Sequence, residues 1–167
     1  MYGGGRYATA ATRAMGRMAE VRFMRICGER YGYRYRVANR KENVVDHFDF
    51  VIQGGSKVDV KAMKSARRGG PVDPNIVYVE LKNVSGGNGW LYGKADYIAF
   101  EQPTGFLFID RRELASFVNM RRPYMRRAEY SGVYNTLYSR KGRNDEVAIF
   151  HMHDIMSIHN KFFLYGN

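Results

Sequence analysis

Cysteine is almost absent: Cys27 is the single one in a chain of 167 residues. That excludes an internal disulfide framework and a thiolate zinc cluster, and it fits a reducing compartment. Long apolar runs are missing too. None approaches the roughly 18 residues a membrane-spanning helix requires, so no transmembrane segment is expected. The opening stretch MYGGGRYATAATRAMGR holds no continuous apolar core and does not read as a secretory signal. Acidic residues are scarce beside basic ones, 16 against 27, which gives a formal net charge of +11 and a pI of about 9.9. Such a surplus points to a polyanion partner. Nucleic acid stands ahead of an anionic membrane, because no basic amphipathic helix dominates.

What is present is a globular composition: 45% apolar, 26% charged, with thirteen Tyr and nine Met. The length fits one domain able to bury a core without metal or disulfide support. Residues 1–7 read as a flexible arm, and residues 121–146 as a basic, largely irregular segment.

The pass along the chain gives a mixed order. Met15, Met18 or Ala19, Phe23, and Ile26 or Cys27 recur at spacings of three and four, predicting an amphipathic helix from about Ala8 to Arg30. Tyr33 to Ala38 alternates at period two, as a strand does. Val44 to Ile52 reads as a second strand, with Val45, His47, Asp49 and Val51 on one face. Gly54-Gly55-Ser56 is a tight turn, and Lys57 to Met63 follows as a third strand. A basic loop, Lys64 to Asp73, leads to a fourth strand at Asn75–Asn83. Trp90 to Tyr97 is expected to hold a short helix. Ile98–Phe100 and Phe106–Ile109 read as strands joined through Gln102-Pro103-Thr104-Gly105. Asp110 is a plausible N-cap for a helix from Arg111 to about Met120, ended by Pro123. Val147–His153 is a late strand, and Asp154 is expected to cap a last helix through Phe163. The sum is an α/β or α+β domain, a mixed sheet flanked by helices.

Asp49, Asp59 and Lys61 form the sharpest chemical constellation. On antiparallel strands joined by a short turn, the two carboxylates converge at one end of the hairpin. Asp59 and Lys61, two apart, share a strand face. Two close carboxylates raise one another's pKa unless a divalent cation lies between them. Mg²⁺ suits the place, since it takes carboxylate oxygens, keeps several waters and accepts phosphate oxygens. A neighbouring lysine stabilises charge on a phosphorane or helps deprotonate a water.

With FDFVI followed by KVDVKAM, the chain resembles the PD-(D/E)XK nuclease superfamily, closest to Holliday-junction resolvases and small phage or viral endonucleases. The likeness covers roughly Gly16 to Phe117, and YVELKN…GWLYGKADYIAF resembles phage members where that stretch continues the core. The resemblance implies a restriction-endonuclease-like core: a helix, a three-stranded hairpin sheet, a helix and another strand. It implies Asp49 and Asp59 as metal ligands, the Val60 carbonyl as a third ligand, Lys61 as catalytic lysine, and Glu20 as a supporting acid on the first helix. Phe48 stands where the family's Pro is frequent, and the second acid is Asp where Glu is commoner.

A rival register exists. Glu80-Leu81-Lys82 is itself a (D/E)-x-K, with Asp59 then serving as the first acid. The first assignment is preferred because it also uses Glu20 and the Gly54–Gly55 hairpin, and it leaves Glu80 and Lys82 as neighbours in an outer shell. Phosphate contacts are expected from Lys64, Arg67 and Arg68, from Arg121, Arg122, Arg126 and Arg127, and from Arg140, Lys141 and Arg143. His151, His153, Asp154 and His159 resemble metal ligands at first sight, but no third ligand sits at a zinc spacing. Gly3–Gly5 and Ser85–Gly89 match neither a Walker A loop nor a dinucleotide fingerprint.

The expectation that follows is an Mg²⁺- or Mn²⁺-dependent endonuclease cutting phosphodiester bonds in DNA, with branched or junction DNA among its substrates. Its partners would be nucleic acid and a second copy of the chain, since a homodimer brings two sites to two strands. The resemblance leans towards a phage or viral source and a cytoplasmic location, the host cytoplasm if viral. The competing classes are a non-catalytic nucleic-acid-binding module and a packaging protein.

Overall fold

Ala19, Phe23, Ile26 and Cys27, spaced by three and four, are the buried face of the first helix, α1 (Ala10–Arg25), and of the wider turn Ile26–Arg30 that extends it. Residues 10–166 are described by this computed structural model, so the expected arm at residues 1–7 lies outside the described residues. After Gly32, whose positive φ reverses the chain, comes β1 (Tyr35–Val37).

The strand expected over Val44–Ile52 is mostly something else. Asn39 and Glu42 form a reciprocal capping box, which starts α2 (Arg40–Val44). His47 then takes a left-handed backbone conformation, φ 57°, that no strand accommodates. Only β2 (Phe50–Ile52) is extended, so Val45 and His47 leave the strand face they were expected to share with Asp49 and Val51.

Gly54 and Gly55, both at positive φ, make the turn into β3 (Lys57–Lys61). Then follow β4 (Ile76–Lys82), a single 3₁₀ turn at Trp90–Tyr92 in place of the expected helix to Tyr97, β5 (Tyr97–Gln102) and β6 (Gly105–Asp110). Helix α3 (Arg111–Arg121) occupies its expected span. Two short strands, β7 (Arg126–Arg127) and β8 (Thr136–Tyr138), punctuate the basic segment that was expected to be irregular. β9 (Glu146–His151) leads to α4 (Met152–Ile155). The helix expected to reach Phe163 stops there. His151, rather than Asp154, caps it, and Lys161–Tyr165 forms β10 against β6, as its β-favouring Phe-Phe-Leu-Tyr run prefers.

The chain is α+β with mixed sheets, and it divides into two compact units. The first takes in the residues up to Ala62, Gly93–Arg111 and the segment from Lys161. Its six-stranded sheet has the order β1-β2-β3-β5-β6-β10; β3 and β5 are parallel and all other neighbours antiparallel. Phe23 of α1 stacks on Phe50 at 5.0 Å and meets Phe106 edge-on at 5.4 Å, in a core that also buries Val58 and Val60. Arg22 fixes the same helix to the β5–β6 turn through Glu101, the Gln102 carbonyl and the Pro103 carbonyl.

The second unit comprises Met63–Tyr92 and Arg112–Asn160. Both segments are insertions into the first: one between β3 and β5, the other between β6 and β10. Its sheet runs β4-β9-β8-β7, with Phe117 of α3 edge-on to Phe150 of β9 at 5.3 Å. The fourth strand of the sequence reading therefore belongs to a separate sheet.

Candidate active site

Asp49 stands where β2 begins, and every polar part of it is engaged. Its amide donates to the Val58 carbonyl at 2.8 Å, and its carbonyl accepts from Ala38 at 2.8 Å. Oδ1 accepts from Asn43 Nδ2 at 2.6 Å, and Oδ2 accepts from the Val60 amide at 2.7 Å. The carboxylate is thus oriented by α2 and by β3 together. It is 9% exposed, which is costly for a charge unless hydrogen bonds or a cation compensate.

Alternation along β3 sends Val58 and Val60 into the core and Asp59 and Lys61 to the opposite side. Asp59 is 4% exposed, and Lys61 Nζ approaches its Oδ2 to 2.8 Å. That buried oxygen is thus compensated by an ion pair with Lys61. Burial pushes the Asp59 carboxyl well above the usual range. Lys61 pulls it back and Asp49 pushes it further up.

Glu20 of α1 belongs to the same electrostatic set. Burial, then the neighbouring Asp49 charge, push its carboxyl up to about 7, against smaller opposing pulls from Lys61 and Arg17. His47 feels it also: burial first, then Lys61, press its imidazole below the ordinary value. Glu20, Asp49, Asp59 and Lys61 all lie in the first unit, and the charges of Asp49 and Lys61 act on both Glu20 and Asp59. This is the constellation expected from sequence.

Two contributors escaped the sequence reading, Asn43 and His47. The signal for Asn43 was available. Asn39-x-x-Glu42 is a helix-start signature, and it places Asn43 on a helix facing the next strand. Nothing in the sequence marks the left-handed turn at His47.

The donor set suits a hard divalent cation: two buried carboxylates beside the Val60 peptide. Among the described residues no three His, Cys, Asp or Glu side chains form a ready-made cage. Mg²⁺ does not require one, since it completes its shell with water and phosphate oxygens.

The other candidates fall in the second unit. Glu80 and Lys82 lie on β4 opposite Val147 and Glu146 of β9, so the rival register would draw its acids from two different sheets. Arg122 and Arg127 both bind the buried Glu146, at 2.5 and 2.7 Å, and Arg140 binds the buried Asp145 at 2.5 Å. Three of the cations expected to face phosphate therefore also have a structural partner. Arg121 lies over the Phe117 ring at 3.6 Å. Lys64 pairs with Asp73 through the backbone, its carbonyl accepting from the Asp73 amide at 2.7 Å, and Arg67, Arg68, Arg126 and Lys141 are exposed, while Arg143 is half-buried. His151 Nδ1 accepts from the His153 amide at 3.0 Å, which gives it a capping role.

Comparison with known proteins finds no matching family model, no similar curated protein and no similar solved structure.

Proposed function

We propose that the chain is a metal-dependent endonuclease that hydrolyses phosphodiester bonds in DNA, with a restriction-endonuclease-like core in its first unit. The observation that carries the proposal is the pairing of two buried carboxylates, Asp49 and Asp59, whose charges act on one another, with Lys61 ion-paired to Asp59 at 2.8 Å. The order of elements supports the same reading, because α1 is followed by the β1-β2-β3 meander and β5 lies parallel beside β3. One departure stands: among the described residues the β3–β5 connection carries β4 and a 3₁₀ turn rather than a helix.

In this reading Asp49, Asp59 and the Val60 carbonyl hold Mg²⁺ or Mn²⁺, which when bound supplies charge neutralisation and a more acidic water. Lys61 presents its ammonium to a non-bridging phosphate oxygen as negative charge develops there. Glu20, whose carboxyl burial and then Asp49 raise in the metal-free protein, is the group that would exchange a proton with water. Basic side chains of the second unit contact the backbone, so affinity falls steeply with salt. A homodimer would place one such site on each strand.

A second reading has one observation in its favour. The Lys61–Asp59 pair already compensates the buried acid internally, as a non-catalytic DNA-binding or packaging protein would need. The test is a cleavage panel of four-way junction, linear duplex, single strand and structured RNA, in Mg²⁺, Mn²⁺ or EDTA. Metal-dependent cutting of DNA supports the nuclease. Tight binding without cutting in any metal supports the second reading.

A further inference from the structure

Tyr124 is 90% exposed, the most exposed large apolar side chain among the described residues. It stands in the turn Arg122–Tyr124 after α3, where Pro123 restricts the backbone and the Met125 amide donates to the Arg122 carbonyl at 3.2 Å. Both flanks of this turn are anchored within the second unit. Arg121 lies over the Phe117 ring and donates to the Phe117 carbonyl at 3.2 Å; Arg122 and Arg127 both close on the buried Glu146. A single exposed aromatic is ordinary on a protein surface. This one is held outward by an anchored turn. It also has Met120, 71% exposed, near it in sequence, and residues 120–127 contain four arginines and no acid.

We infer that Tyr124 is a stacking post for an unpaired nucleotide base, with the exposed Arg126 on a flanking phosphate, so that the substrate carries an unpaired strand. A ring presented to solvent between cations offers what such a strand needs: a face for a base and charge for the backbone. A duplex keeps its base faces stacked internally and gains nothing from the ring. Arginine alone would hold either form. The inference rests on the nucleic-acid reading above but not on its metal chemistry.

The test is fluorescence anisotropy of the full chain in EDTA, where no metal-dependent cleavage occurs. The probes are oligothymidylate, oligouridylate, an abasic strand of equal length and a blunt duplex. Tyr124→Ala is expected to weaken binding of the strand that is the true ligand, DNA or RNA, by about 5- to 150-fold, the equivalent of one stacked base at about 1–3 kcal/mol. Tyr124→Trp is expected to restore it, with abasic-strand and duplex binding unchanged. No loss on either oligonucleotide, an equal loss on the abasic strand or duplex, or failure of Trp to restore binding would overturn the inference. Wild-type protein that binds none of the four probes would overturn the nucleic-acid reading as well. Metal-dependent cleavage that survives alongside an inert Tyr124→Ala substitution would sink the stacking post alone.

Discussion

The Val60 amide donates to Asp49 Oδ2 across 2.7 Å, which ties the acid that opens β2 to the strand carrying Asp59 and Lys61. One hydrogen bond thereby fixes the spacing of two acids that are ten residues apart in sequence. The other Asp49 oxygen is set by Asn43, from a five-residue helix whose existence depends on the Asn39–Glu42 capping box. The orientation of the proposed metal ligand is therefore decided outside the hairpin.

From this follows the first prediction. Asn43→Ala keeps the fold and weakens the affinity for the Mg²⁺ that cleavage needs, raising the half-saturating concentration by about 10- to 100-fold, the usual cost of removing a group that orients a metal ligand. A Mg²⁺ titration of the cleavage rate reads it directly. An unchanged half-saturation would detach Asn43 from the site.

Asp59 sets stability against function. Burial disfavours its charged form more than Lys61 favours it, so Asp59→Asn is expected to raise the melting temperature of the metal-free protein while abolishing stabilisation by Mg²⁺ or Mn²⁺. Differential scanning fluorimetry with and without metal checks both halves. A fall in melting temperature on substitution would mean that the ion pair with Lys61 is the reason the acid is there.

The pH dependence has a definite sign. The folded state holds the Glu20 proton more tightly than the unfolded chain, because the carboxyl is raised from 4.5 to about 7. Stability contributed by that proton is fully present below about 4.5 and is lost as pH rises through about 7. Asp59, raised as well, acts in the same direction. Metal-free protein should thus lose stability across this range, Glu20→Gln should flatten the slope, and added Mg²⁺ should stabilise more above it than below. Urea denaturation at several pH values provides the measurement.

Glu146 organises the second unit. Burial pushes its carboxyl up, but Arg127 and Arg122 outweigh burial and leave it below the ordinary value. Its contribution is present at neutral pH and is lost as pH falls through its folded value. Glu146→Gln leaves two arginines without their anionic partner, and is expected to cost about 1–3 kcal/mol once the exposure of both guanidinium groups is discounted. A lower urea midpoint at unchanged slope would show it.

How far the sequence could be read depended on the range of the forces involved. The helix of Ala19 and Phe23, the glycine turn at Gly54–Gly55, and the strands at Lys57–Lys61 and Gly105–Asp110 follow from periodicity and turn chemistry, which are local. Val44–Val45 misled because an apolar β-branched pair reads as a strand, whereas the Asn39–Glu42 capping box just upstream is a stronger local commitment. The final strand was missed because Lys161–Tyr165 acquires its identity only by pairing with β6, more than fifty residues earlier. The division into two units was invisible for the same reason: β4 pairs with β9 across some seventy residues, so its sheet membership is a long-range fact. At the site, residue types and spacing picked out Asp49, Asp59, Lys61 and Glu20. The roles of Arg122, Arg127 and Arg140 as partners of buried acids needed the fold.

The most direct test of the central claim is single-turnover cleavage of the best DNA substrate by wild type, Asp59→Asn and Lys61→Ala, with binding affinity measured on the same samples in EDTA. The account predicts metal-dependent cutting by wild type, binding preserved in both variants, and cleavage slowed by at least about 100-fold in each, as loss of an electrostatic group at a reacting centre entails. Cleavage by Asp59→Asn at the wild-type rate, or cleavage that persists in EDTA, would contradict it.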